Sequence, residues 1–378
     1  MSGMAANSYG SELMRTHPVV PTLACILLTH LGLFHTVIVA QDESAPPPIR
    51  VQELKSGVKA SFRGLAMKGA GEAWVSGSDA TVIRTTDGGK NWQRVKVTPD
   101  SVQDKDGKQV KLDFRDVEVL PDGSVLLMSI GNGAASKVLR SSDAGKTWKV
   151  VLENKDEAGF FDGMSFATGG KRGVLYGDPI NGRLDMYVTG DGGQTWRHVP
   201  EEFRPELKKG EYGFAASGSG AAIVGREIWI ATGGSVARLL RSKGGPWEST
   251  TLKVRSGNES SGVFSLAVDG DTAIVIGGDY KNPKEADRNV GVSLDGGKTW
   301  DVSQETVMPH KACIRPMGTG AFLACGRTGI AFTSDSGETW SNISAESYYV
   351  LQVDRASQSG YLAGSDGRVA RFSVAAGR

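Results

Sequence analysis

The residues best suited to chemistry in this chain are arginines and aspartates rather than histidines or cysteines. Three of the five His (His17, His30, His35) and Cys25, one of three Cys, fall in the first 40 residues, which leaves His198, His310, Cys313 and Cys325 for the rest. A zinc site built from Cys and His needs about four such ligands in one place, and a Ser-His-Asp system needs a His beside its nucleophile. Neither a metal nor such a triad is expected. No glycine-rich loop opens a helix in the way a nucleotide requires, so no cofactor is expected. What remains is Arg63, Arg115, Arg315 and Arg327 with Asp162, Asp178 and Asp279. A guanidinium presents a planar fork of donors, so these groups, if gathered, would hold a carboxylate, a sugar acid or an acidic protein loop. The alternative is that they pair with one another around a solvated channel.

Whether they gather depends on the elements that carry them. From residue 61 the chain repeats a unit of four short β-rich runs, illustrated by 62–67, 72–76, 81–85 and 92–95, separated by Gly and Asp turns. Two landmarks count the units. A glycine closes the second run at Gly77, Gly131, Gly177, Gly233, Gly277, Gly326 and Gly364, giving seven. Between the third and fourth runs lies the turn Thr85-Thr86-Asp87-Gly88-Gly89-Lys90-Asn91-Trp92. It recurs around Asp143, Asp191, Asp295 and Asp335, with a worn copy at Ser242-Lys243-Gly244-Gly245-Pro246-Trp247. Asp accepts bonds from the turn's own N–H groups, Gly supplies positive φ, and Trp packs on neighbouring strands. These aspartates are therefore read as structural, because a residue present in nearly every unit cannot define a single site.

Seven four-stranded antiparallel units around an axis make an all-β, seven-bladed β-propeller, a single domain over residues 49–375. The last unit has one strand too few after Gly364, and Ile49–Leu54 at the other end is expected to fill the gap and close the ring. Cys313 and Cys325 lie six residues either side of Thr319, directly opposite each other on the first two strands of the sixth blade. They form either a structural disulfide or two small buried thiols facing different ways.

The repeated turn, Ser/Thr-x-Asp-x-Gly-x-Thr-Trp, resembles the Asp-box (BNR) repeat of sialidases, sortilin-type receptors and photosystem II stability/assembly-factor-like propellers. The last group resembles the chain most fully, from residue 49 to 375. It implies an exported, single-domain, non-enzymatic propeller that holds a protein client, such as a membrane-protein assembly intermediate, through an Arg-rich patch. The patch would fall at Phe62-Arg63-Gly64 and Phe114-Arg115-Asp116.

The alternative resemblance, to sialidases, implies an exo-sialidase-like glycoside hydrolase acting on an acidic glycan. Arg63, Arg115 and Arg315 would imitate the carboxylate-gripping triad, and Tyr212 beside Glu211 the nucleophile and its activator. Its Arg-Ile-Pro segment has only Ile314-Arg315-Pro316 as a counterpart, far along in the sixth blade. In either case function is expected on the face opposite the Asp turns, where loops vary between blades. Arg63, Arg115, Asp162, Tyr212 and Arg315 are placed where first strands begin. Asn132, Asp178, Asp279-Tyr280 and Arg327 follow second strands, and His310 precedes the sixth blade. The insertions at 177–183 and 278–285 make this rim uneven.

Compartment and partners follow from the ends and the charge. Met14-Arg15, then an apolar run closing at Val37-Ile38-Val39-Ala40, has the order of a secretory signal. Residues 1–40 are expected to be a cleaved signal peptide, with an uncleaved anchor as the alternative, and 41–48, with Pro46-Pro47-Pro48, a stiff linker. The protein is expected to be exported, periplasmic or extracellular, and monomeric. Forty-three Lys+Arg against 42 Asp+Glu give a formal charge of +1. That balance supplies no field for nucleic acid.

Overall fold

Strands of two to nine residues, joined by short turns rich in Gly and Asp, fold back antiparallel on their predecessors. The computed structural model describes residues 49–104, 106–302 and 308–375. The leader, residues 1–40, and the Pro-rich linker, 41–48, lie outside the described residues. Blade 1 is Phe62–Lys68, Glu72–Gly77, Val82–Thr85 and Gln93–Arg94, in that order from the axis outward. Blade 2 starts with Asp113–Val119, blade 3 with Phe161–Phe166, blade 4 with Ala221–Val224, blade 5 with Ser261–Asp269, blade 6 with Cys313–Gly318 and blade 7 with Val350–Asp354. The fourth strand of blade 5 is reduced to one bridge, Val292 to Asp301.

The ring closes as the sequence implies. Ile49–Leu54 pairs antiparallel with Val369–Val374, from Ile49 opposite Val374 to Leu54 opposite Val369, and is the outer strand of blade 7. Both ends of the propeller therefore share one sheet, and the edge that an open ring would expose is covered.

The core is a circle of wedges between neighbouring blades. One cluster joins Trp74 and Val82 of blade 1 to Phe114 and Leu127 of blade 2. Another joins Leu126 and Met128 of blade 2 to Phe161 and Leu175 of blade 3. Phe62, Cys325, Tyr361 and Phe372 meet across blades 6, 7 and 1. Each fully buried side chain of this size contributes about 1.5–3 kcal/mol, so stability is spread around the circle.

The Asp turns are tied internally. Asp143 accepts bonds from the Thr147 amide at 2.9 Å and hydroxyl at 2.6 Å and from the Ser141 hydroxyl at 2.8 Å, while Trp148 Nε1 donates to Gly145 O. Asp87, Asp191, Asp295 and Asp335 likewise accept the backbone amide four residues on, and the tryptophan bond recurs at Trp300 and Trp340. The Thr147 side-chain and backbone donors hold the Asp143 carboxyl down at about 2. Gly88 N donates to Gly71 O, which places this turn beside the hairpin joining the first two strands of blade 1.

Cys313 and Cys325 pair in register as expected, and both are free, fully buried thiols in the structure.

Candidate functional site: an axial cup

The face opposite the Asp turns is shaped by one local device used repeatedly. In blades 1, 2, 3 and 5 the innermost strand slips register near its start, between Phe62 and Gly64, Phe114 and Asp116, Phe161 and Gly163, and Val263 and Ser265. The unpaired residue of each β-bulge is Arg63, Arg115, Asp162 or Phe264. A bulge bends the strand and re-aims one side chain, and these four all line one cavity of ≈ 500 Å³. The landmark glycines make the bend possible. A Cβ on Gly77 would stand 2.2 Å from Ser61 O, and one on Gly177 2.1 Å from Phe160 O, so the chain starting the inner strand crosses directly over the second strand's end.

The same position in blades 6 and 7 is Ala312 and Tyr349, which also line the cavity. Arg315 is three residues further along, about 10 Å deeper at 3.3 Å per residue. It faces the channel below, where its Nε donates to Gln352 Oε1 at 3.1 Å. Arg315 therefore does not join Arg63 and Arg115, and the expected arginine triad is not assembled. Of the residues following second strands, Asp178, Tyr280 and Arg327 reach the cavity, and so does His310. Asp279 does not: it caps its own loop, accepting from Lys281 N at 2.8 Å and Asn282 Nδ2 at 3.0 Å. Asn132 is likewise absent from the lining, its place being taken by Ile130.

The pairing of Tyr212 with Glu211 is corrected for a simple reason. The two are consecutive on the short strand Glu211–Tyr212, and successive strand side chains point to opposite faces. Glu211 is fully buried against Arg238, whose Nε and terminal nitrogen donate at 2.9 and 2.7 Å, and it also accepts from the Thr232 hydroxyl at 2.6 Å. Tyr212 points into the cavity and its hydroxyl donates to Glu259 O. Glu211 is a structural counter-ion, and the nucleophile pair does not exist.

Blade 4 holds the largest departure from expectation. Its inner strand was expected to begin near Tyr212 but begins at Ala221, and Gly213–Gly220 leaves the sheet and crosses the axis. Arg115 donates to Ala215 O at 3.1 Å from blade 2, Ser217 Oγ donates to Ala312 O at 2.8 Å in blade 6, and Ser219 Oγ meets Ser265 Oγ at 2.7 Å in blade 5. Gly218 adopts φ +66° against the Asp116 carboxylate. Gly213, Phe214, Ala215 and Ala216 form the floor of the cavity. The channel is thus plugged, and the cavity is a blind cup.

Its walls are divided by chemistry. Arg327, Arg63 and Arg115 occupy the arc from blade 6 through blade 1 to blade 2. Arg63 lies 3.8 Å over the Tyr349 ring, and burial, with Arg115 nearby, lowers its pKa to about 10. Arg115 is engaged by Asp113 at 2.9 Å. Blade 3 supplies Asp162, 2% exposed, and Asp178. Burial and the neighbouring Asp178 push Asp162 well up, and burial pushes Asp178 to about 6. Blades 4 and 5 supply aromatic rings: Phe214 stacks on Phe264 at 4.0 Å, and the His310 ring meets Phe264 edge-on at 4.6 Å. Burial and nearby cations hold His310 down to about 4, so it is neutral. Phe160, Phe214, Phe264 and Tyr349 went unnoticed in the sequence; aligning each blade on its closing glycine would have exposed Phe264 and Tyr349 at the bulge position. Among the described residues no group of three or more His, Cys, Asp or Glu could hold a metal ion.

No family model matches the chain. Over 238 residues it is 22% identical to the photosystem II assembly lipoprotein Ycf48 of Synechococcus sp. (strain CC9902), covering 61% of this chain and 58% of that protein. The matched stretch is therefore less than two thirds of that relative's length. A solved structure described as YCF48 bound to D1 peptide superposes with a TM-score of 0.58 at 14% identity, covering 87% of this chain and 96% of that one. YCF48 from Cyanidioschyzon merolae superposes with a TM-score of 0.58 at 15% identity, covering 85% and 98%. In sequence and in fold this chain resembles the photosystem II assembly-factor propellers.

Proposed function

We propose that this protein is an exported, non-enzymatic propeller that binds a protein client through the Arg-bearing rim of the cup, in the manner of an assembly factor. The observation that carries the reading is the cup itself: guanidinium groups of Arg63 and Arg327 with no acidic partner among the described residues, set beside aromatic rings on the variable face. Aromatic and arginine side chains are the usual anchors of protein recognition. The likeness to Ycf48 proteins, one of which is described as bound to D1 peptide, supports a protein client rather than a substrate. The leader at residues 1–40 supports export, as does the description of the Synechococcus relative as a lipoprotein. The Asp-box turns serve as internal ties in this reading, and a single propeller acts as a monomer.

Hydrolysis of a glycan is not favoured, because Arg315 lies too deep and Glu211 faces away from Tyr212. The test is capture of clients from solubilised membranes of the source organism by tagged wild-type protein, with quantification by mass spectrometry. Wild type is expected to enrich a defined membrane-protein set that Arg63→Ala plus Arg327→Ala loses by about tenfold, a difference of about 1.4 kcal/mol. Equal enrichment by both proteins would remove the rim from the interaction.

A further inference from the structure

The cup carries basic and acidic side chains on its walls without pairing Arg63 or Arg327 with Asp162 or Asp178. Arg63 and Arg327 form no ion pair among the described residues, and the Arg63 Nε is buried with no hydrogen-bond partner. Asp162 and Asp178, on the same cavity, accept no side-chain or backbone donor among those residues, and Asp162 Oδ2 is buried and unpartnered. The His310 Nδ1 and Nε2 atoms are buried and unpartnered too. Several buried charges elsewhere are paired, Arg238 with Glu211, Arg204 with Asp185 and Lys137 with Glu153, and Lys311 and Asp116, which have no ion pair, are hydrogen-bonded to Thr328 and the Met164 amide. A buried polar group without a partner is costly, and so many gathered on one cavity mark places where a bound molecule supplies the partners.

We propose that the cup is a receptor for a small zwitterion of the α-amino-acid class, with its carboxylate held by Arg63 and Arg327 and its ammonium by Asp162 and Asp178. Guanidinium forks match a carboxylate. An ammonium needs acceptors, which the blade 3 carboxylates provide, and its charge draws their protons off. Between the two arcs, on the side of blades 4 and 5, Phe214 and Phe264 offer apolar surface, so the side chain carried is aromatic or large and apolar. The floor made by Gly213 to Ala216 sets the size: a blind space of ≈ 500 Å³ takes one such molecule, whereas an open channel would not retain it. This site goes beyond the protein-binding reading and stands whether or not the rim also takes a client.

The test is isothermal titration calorimetry of the purified protein with three probes: phenylalanine, which has both charges, N-acetylphenylalanine, which has only the anion, and phenethylamine, which has only the cation. Phenylalanine is expected to bind at least about tenfold more tightly than either of the others. Asp162→Asn should weaken phenylalanine and phenethylamine by about tenfold and leave N-acetylphenylalanine unchanged. Arg327→Gln should weaken phenylalanine and N-acetylphenylalanine and leave phenethylamine unchanged. Asp178→Asn repeats the first arm if Asp162→Asn does not fold, as judged by its thermal transition. Equal affinity for phenylalanine and its N-acetyl form, a uniform loss of all three probes in either variant, or no saturable binding of phenylalanine up to about 10 mM would overturn the proposal.

Discussion

Gly218→Ala tests the axial plug most directly, because the crossing segment presses there on a buried carboxylate. Gly218 has φ +66°, and a Cβ would lie 2.2 Å from Asp116 Oδ1 and 2.3 Å from its Cγ. The carboxylate cannot easily retreat: Asp116 is 4% exposed and its Oδ2 accepts the Met164 amide at 2.9 Å. The left-handed backbone costs alanine about 1–2 kcal/mol. Forcing apart a packed pair adds about 1–3 kcal/mol, and loosening the bond to a buried carboxylate adds about 1 kcal/mol or more. The expected total is about 3–6 kcal/mol. Gly225→Ala is the matched control, with φ +58° but nothing within 4 Å of its Cβ, so it should cost only the backbone component, about 1–2 kcal/mol. Urea unfolding followed by tryptophan fluorescence reads the difference. With an m-value of about 3 kcal/mol/M, the Gly218→Ala midpoint should fall about 0.7–1.3 M below that of Gly225→Ala. Equal midpoints would show that the segment is not wedged across the axis.

Other outcomes follow from the same geometry. Burial pushes Asp116 up to about 7, Glu118 to about 8 and Asp178 to about 6. Because these folded-state values exceed the unfolded ones, stability should fall as pH rises from about 4 to 8. Urea midpoints measured across that range should decline, with a shallower slope in Glu118→Gln; a rising midpoint would contradict the burial of these groups. In the opposite sense, Asp87, Asp143 and Asp191 are held at about 2 by their turn donors, so what they contribute is lost as pH falls from about 4 toward 2. Arg238→Ala leaves the Glu211 carboxylate buried and unpaired and should cost about 3–5 kcal/mol, whereas Tyr212→Phe should leave the urea midpoint within experimental error. Deleting Ile49–Leu54 uncovers the edge of Val369–Val374, and the expected result is aggregation, read by light scattering during size-exclusion chromatography.

What the sequence alone determined is local and repeated. The turn around Asp143 announces itself because donors and acceptors lie within four residues of each other, and the closing glycines announce themselves because no other residue tolerates the chain crossing above them. Counting these marks was enough to reach seven blades and to see that Ile49–Leu54 must complete the last. Arg63, Arg115, Asp162, Asp178 and Arg327 were also legible as rim residues, since Asp178 and Arg327 directly follow a closing glycine and the other three stand where first strands begin. Tertiary structure decided the rest, because it depends on register and on contacts made across the ring. A slip of three residues sent Arg315 into the channel, and strand alternation turned Glu211 away from Tyr212. The segment from Gly213 to Gly220 has the composition of an ordinary loop, and only partners drawn from blades 2, 5 and 6, about 50 to 100 residues away in sequence, hold it across the axis and turn a channel into a cup.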